Sequence, residues 1–225
     1  ALNLATDRDT ISGKIRKLGE PPAYGFVPPG TANYPGNIVL DFKSLPYPER
    51  VKRAQALMQQ AGFGPNTRLK LTYSLRATSP DQLPAAAAIQ ENWRAIYVDV
   101  RIEQNDFATA MAKFGQGDFD VAEVAWGADF NDASNFLDLM RINNGSNYGR
   151  YSNPAYDRLL DQASNEPDIA KRGVLMAQAE KLLLDDVGIV PMFFWVSPVI
   201  TQTYVKGWKP NVRDKHLSRW ISIER

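Results

Sequence analysis

Residues 68–75 read "RLKLTYSL". Leu69, Leu71, Tyr73 and Leu75 alternate with polar residues, the period-two pattern of a strand with one apolar face and one wetter face. Downstream, "SPDQLPAAAAIQENWRAIY" (79–97) has helical composition, with Pro80 near its start. "VDVRIEQND" (98–106) alternates again through Val98, Val100 and Ile102, and "FATAMAKFGQG" (107–117) is a short helix closed by glycines. Then "FDVAEVAW" (119–126) is apolar on both faces, as expected of a strand in the middle of a covered sheet. Strand, helix, strand, helix, strand over 68–126 implies a parallel sheet with right-handed crossovers. The expected fold class is α/β, a mostly parallel central sheet with helices on both faces.

Upstream, "ALNLATDRDTISGKIRKLG" (1–19) has the spacing of an amphipathic helix, and the chain reads as cut from something longer. "EPPAYGFVPPGTANYPGN" (20–37) is a long ordered loop anchored by Tyr24, Phe26, Val27 and Tyr34. In "YPERVKRAQALMQQAGFG" (47–64) Val51, Ala54, Leu57, Met58 and Ala61 mark a helix, with Gly62 as its stop. After the expected central strand, helices are expected near 132–141, in "NPAYDRLLDQASN" (153–165) behind an Asn153 or Ser152 cap, and in "DIAKRGVLMAQAEKLLLDD" (168–186) on a stripe of Leu175, Ala179, Leu182 and Leu183. "GIVPMFFWVSPVITQTYVKGW" (188–208) reads as extended.

The 225 residues are 44% hydrophobic with a net charge of +1, enough for a core and without the basic stripe of a nucleic-acid surface. The absence of cysteine excludes disulfides and thiolate chemistry. His216 is the only histidine and lies in the polar tail, a poor basis for a triad. GxSxG and GxxxxGK are absent; "GQGDFD" lacks a third glycine and leads into a strand, and "DFNDASN" lacks the central glycine of a calcium loop. No cofactor is implied.

In an open α/β sheet, ligands sit beyond the carboxyl ends of the strands. Gly127, Ala128 and Asp129 occupy that place, with Trp126 and Phe130 on either side. Asp129 is read as waiting for a cation. The plainer alternatives are that Asp129 or Asp132 caps the following helix and that the two aromatics are core. Glu123, an acid inside the apolar strand, either faces the same cleft or forms an internal ion pair with an Arg or Lys.

The ordered set "ALNLATDRDTI", "PPAYGFVPPG", "AWGADFNDASNFL", "YSNPAYDRLLDQA", "RGVLMAQAEKLLLDD" and "IVPMFFWV…VKGW" resembles the C-terminal half of extracytoplasmic solute-binding proteins of peptide ABC transporters, the oligopeptide/dipeptide-binding family 5. The resemblance implies a two-lobed periplasmic-binding-protein-like fold of type II. Residues 1–196 would form the second, ligand-binding lobe, and 197–225 would return to a first lobe. It implies no catalysis, an extracytoplasmic location, a peptide or other small solute as ligand, and ABC permease subunits as partners. It also implies that Asp129 holds the peptide's α-ammonium, that Trp126 and the neighbouring backbone line the groove, and that Phe107 is a groove aromatic. Where some members carry arginine for the ligand carboxylate, this chain has Glu123, and Phe114 stands at another such basic position. Rival readings are a receptor for a nickel chelate, opine or oligosaccharide, and a hydrolase using Asp129 and Glu123 as an acid pair.

Overall fold

The computed structural model describes residues 1–76, 80, 82–196, 199–209, 211 and 214–224. Its centre is a three-stranded parallel sheet in the order β2-β1-β3, formed by β1 (Leu69–Arg76), β2 (Val98–Asn105) and β3 (Val121–Ala122). β1 and β2 pair along their full length, Leu69 opposite Val98 through Arg76 opposite Asn105. The connecting helices are α4 (Gln82–Arg94) and α5 (Phe107–Gln116), so the expected crossovers are present. One face of β1 packs on α4, where the Tyr73 and Trp93 rings lie 6.0 Å apart. The opposite face meets α5 through Glu103, which accepts from Ser74 Oγ at 3.2 Å and Lys113 Nζ at 2.7 Å. Helices therefore cover both faces.

The strand read as central is the edge strand. β3 pairs with β1 only at Tyr73–Val121 and Ser74–Ala122, and the next backbone bond, Glu123 N–H to Ser74 O, closes the ladder at 3.1 Å. Val124 and Trp126 are exposed rather than enclosed. Their apolar character marks a surface, which periodicity cannot tell from a core. β1, with the more modest alternating pattern, is the strand flanked on both sides.

The N-terminal segment is broken into α1 (Leu2–Ala5), α2 (Arg8–Thr10) and a π-helical stretch over Ile11–Arg16. The break has a tertiary cause. Arg8 is buried and donates through Nε to Pro191 O at 2.7 Å and through Nη1 to Asn3 O at 2.9 Å. A continuous helix would carry that guanidinium elsewhere. α3 (Tyr47–Gln60) ends as expected, with Gly62 at φ +87°. These elements and α4 share a core containing Ile11, Ala54, Met58, Leu75, Ile89 and Trp93.

A second core holds the helical half. It contains α6 (Ser134–Leu137), continued by a 3-10 turn at Asp138–Met140, α7 (Pro154–Asn165) and α8 (Ile169–Asp185). α7 starts on Asn153, whose side chain accepts from Ala155 N–H at 2.9 Å, with Pro154 in the first turn. On α8 the buried residues are Gly173, Met176, Ala177, Ala179, Glu180, Leu183 and Leu184; Leu175 and Leu182 are partly buried beside them. The Pro/Gly-rich loop folds over this core through Val27, while Tyr24 is buried in a smaller cluster with Leu40, Phe42 and Leu184.

The described residues of 188–208 form no long strand. Among the described residues they contribute an isolated bridge, Phe193 with Pro22, and β4 (Val205–Lys206), which pairs antiparallel with β5 (Ser222–Ile223). Ile200, Trp220 and Ile223 on this tail are 97%, 68% and 65% exposed. The boundary residue Ser197 and the terminal Arg225 lie outside the described residues. No helix among the described residues is long and apolar enough to cross a membrane.

Candidate functional site

Beyond β3 the chain turns through Trp126, Gly127, Ala128, Asp129 and Phe130 before entering α6. One buried side chain organises this turn. Asn135 Oδ1, on α6, accepts from Trp126 Nε1–H at 3.0 Å and from the Asp129 backbone N–H at 3.2 Å. The indole and the acid are thereby held together from behind. Gly127 faces open space, and Ala128 packs on the helical core. Trp126 and Phe130 are 42% and 49% exposed, so neither ring is core. The Asp129 side chain is exposed and has no hydrogen-bond or ion-pair partner among the described residues.

The other acid of the turn is consumed structurally. Asp132 receives a fork from Arg172, Nη1 to Oδ2 at 2.6 Å and Nη2 to Oδ1 at 2.8 Å, and its Oδ1 also accepts from Ser134 N–H and Oγ–H. Burial pushes the Asp132 carboxyl upward. Arg172 and Ser134 outweigh it and hold the group at about 2. A depressed carboxyl contributes stability that is full above its unfolded value, near 3.8, and is lost as pH falls through about 2. Asp132→Asn should therefore lower the thermal midpoint at neutral pH and flatten its fall between about pH 4 and pH 2. A midpoint-versus-pH profile identical to wild type would contradict this role.

Phe107 opens α5 at 54% exposure, and its ring lies 6.0 Å from the guanidinium of Arg76, the last residue of β1. Arg76 Nε is buried without a hydrogen bond, and the guanidinium has no ion-pair partner among the described residues. A cation supported on a ring at the carboxyl end of the central strand is a natural anion receptor. Sequence reading passed over it because the polar face of an alternating strand looks like a solvated face. Asn135 escaped for a similar reason, as a neutral residue inside a helix-like segment.

Glu123 is partly buried. Its Oε2 accepts from Tyr73 O–H at 2.9 Å and its Oε1 from Gln82 Nε2–H at 3.3 Å. No ion pair to an Arg or Lys is present among the described residues; neutral donors hold the carboxylate instead. Phe114, at the other position where the resemblance expects a basic residue, is buried against Phe119 and Tyr148. A separate cavity lined by Asn144, Tyr148, Arg150 and Tyr151 lies among loop residues whose Asn147 amide is fully used internally. Among the described residues, no group of three or more His, Cys, Asp or Glu is arranged to hold a metal ion.

The chain superposes over its whole length on solved structures more than twice as long. The Escherichia coli murein tripeptide binding protein MppA matches with a TM-score of 0.90 at 31% identity, covering 100% of this chain and 44% of that one. Haemophilus influenzae OppA, in complex with the peptide RPPGFSPFR, matches with a TM-score of 0.87 at 29% identity over 100% of this chain and 44% of that one. By sequence the chain is 32% identical to the periplasmic murein peptide-binding protein MppA of E. coli K12 over 225 residues, 99% of this chain and 42% of that protein. It thus spans about two fifths of the length of the curated relatives it matches. Residues 1–148 match the middle region of a single family. The chain belongs to the bacterial extracellular solute-binding proteins, family 5.

Proposed function

We propose that this chain is the ligand-binding lobe of a two-lobed, non-catalytic receptor that captures peptides outside the cytoplasm for ABC permease subunits at the membrane. In this reading Asp129 receives the peptide's α-ammonium, and residues 197–225 return to a facing lobe. The observation that carries it is the Asp129 carboxylate, without a partner among the described residues while Asp132 is neutralised by Arg172, on a backbone that Asn135 ties to the Trp126 indole. Val124, Trp126 and Phe130 on the same segment, and Phe107 at the start of α5, are exposed apolar side chains of the kind that meet a ligand or a second wall. Main-chain hydrogen bonds to an extended peptide, with pockets for its side chains, would supply affinity with little sequence demand.

Arg76 supplies the opposite charge. In the complete receptor, Arg76→Ala should weaken peptides with a free carboxylate by about 10- to 100-fold, the range for hydrogen bonds to charged groups, and their C-terminal amides far less. Calorimetry on acid and amide forms of one peptide checks this. Equal losses would make Arg76 a structural residue. Mass spectrometry of the solute that copurifies with the complete receptor tests the peptide reading as a whole, since a nickel chelate, opine or oligosaccharide would displace it.

A further inference from the structure

We infer that Glu123 is a second cation receptor in the same groove, and that the preferred ligands are peptides carrying a basic side chain. The inference rests on the peptide reading above and adds a substrate class to it.

Glu123 follows β3 at the carboxyl edge of the sheet, where its N–H continues the ladder to Ser74 O. With Tyr73 opposite Val121 and side chains alternating, Glu123 lies on the α4 face and Arg76 on the α5 face, so the two are not a pair. Its carboxylate is held by two neutral donors, the Tyr73 hydroxyl and the Gln82 amide, one below it in the sheet and one at the start of α4. Burial, with Glu123 alongside, holds the Tyr73 hydroxyl well above its ordinary value, so it remains a donor. These hydrogen bonds fix the carboxylate's position without cancelling its charge. Neutral donors also hold Glu180 inside the helical core, but Glu123 is only partly buried and has no cationic partner among the described residues, so its charge stays within reach of one from outside. At this edge the missing charge is one that a ligand can bring. An ammonium or guanidinium at the end of a flexible stem has the reach.

The complete receptor should be titrated with tripeptides in which lysine or the isosteric, uncharged norleucine occupies each position in turn. At one position lysine should bind about 10- to 100-fold more tightly than norleucine. In Glu123→Gln, which keeps the shape and one acceptor oxygen and presents its N–H to the Tyr73 hydroxyl oxygen as a donor, that ratio should fall to about one. In Asp129→Asn both peptides should weaken together, leaving the ratio in place. A wild-type receptor with no lysine preference at any position, or a preference that survives in Glu123→Gln, overturns the inference while leaving peptide capture intact. Failure of every tripeptide, tri-alanine included, to bind wild type overturns the peptide reading and this inference with it.

Discussion

Asp129→Ala in the complete receptor should weaken peptides with a free α-amine by roughly two to three decades, and N-acetylated peptides much less. The magnitude depends on what happens to water. In this chain the Asp129 side chain is exposed, and an ion pair formed there would be worth about 0–1 kcal/mol. Enclosure by ligand and a facing lobe moves the pair into the regime where removing one partner costs about 3–5 kcal/mol. Two to three decades correspond to about 3–4 kcal/mol, so the expected loss is that of an enclosed pair. Calorimetry with a peptide and its acetylated form separates the cases. A loss of only two- to fivefold would mean that the pair stays wet and the lobes do not seal over the amine. Equal losses for both ligands would make Asp129 a structural residue of the turn. Asn135→Leu offers a companion measurement: the acid stays but its backbone anchor and the Trp126 hydrogen bond go, so affinity should fall with no change in net charge.

The elements that alternate or repeat on their own were legible. β1, β2, α4, α5, α7 and α8 each bury one face, and burial of one face is what periodicity reports. The resemblance added the order of the segments and the role expected of Asp129. What was misread has a common cause, which is that burial and apolarity part company at a binding surface. The run at 119–126 looked like a central strand because its residues are apolar, yet Val124 and Trp126 are exposed. Conversely, Arg8, Arg50 and Glu180 are charged and buried, which no pattern announces. Their burial is specified by distant groups: Pro191 O for Arg8, the Tyr24 hydroxyl for Arg50 and the 26–27 backbone for Glu180. The site followed the same division. An acid at the end of an apolar run could be seen in the sequence, whereas Asn135 and Arg76 acquire meaning only when the fold brings them to it.

Glu180 sets the largest stability effect expected. It is fully buried on α8, and its carboxylate accepts from the backbone N–H groups of Phe26 and Val27, the latter at 2.9 Å, and from the Tyr34 hydroxyl. Those three donors belong to the Pro/Gly-rich loop, which Glu180 therefore fastens to the helical core. The approach is close: a Cβ on Gly25 would lie 2.4 Å from Ile38 O and 3.1 Å from Glu180 Oε1, so only glycine fits there. Glu180→Ala leaves two buried amides and a hydroxyl without an acceptor and opens a cavity. At about 1–3 kcal/mol per unsatisfied group, and with partial relaxation of the loop, the expected loss is about 3–5 kcal/mol in chemical denaturation. Glu180→Gln keeps one acceptor oxygen and should cost less. It should also change the pH dependence. Burial raises the Glu180 carboxyl above its ordinary value near 4.5, against the opposing pull of Tyr34, Val27 and Phe26. A raised carboxyl contributes stability that is full below its unfolded value and is lost as pH rises through the folded one. Wild type should thus lose stability above about pH 4.5 in a step that Glu180→Gln lacks, opposite in sign to the acid-side loss carried by Asp132. If Glu180→Ala unfolds at the wild-type denaturant midpoint, the loop is held by something other than this carboxylate.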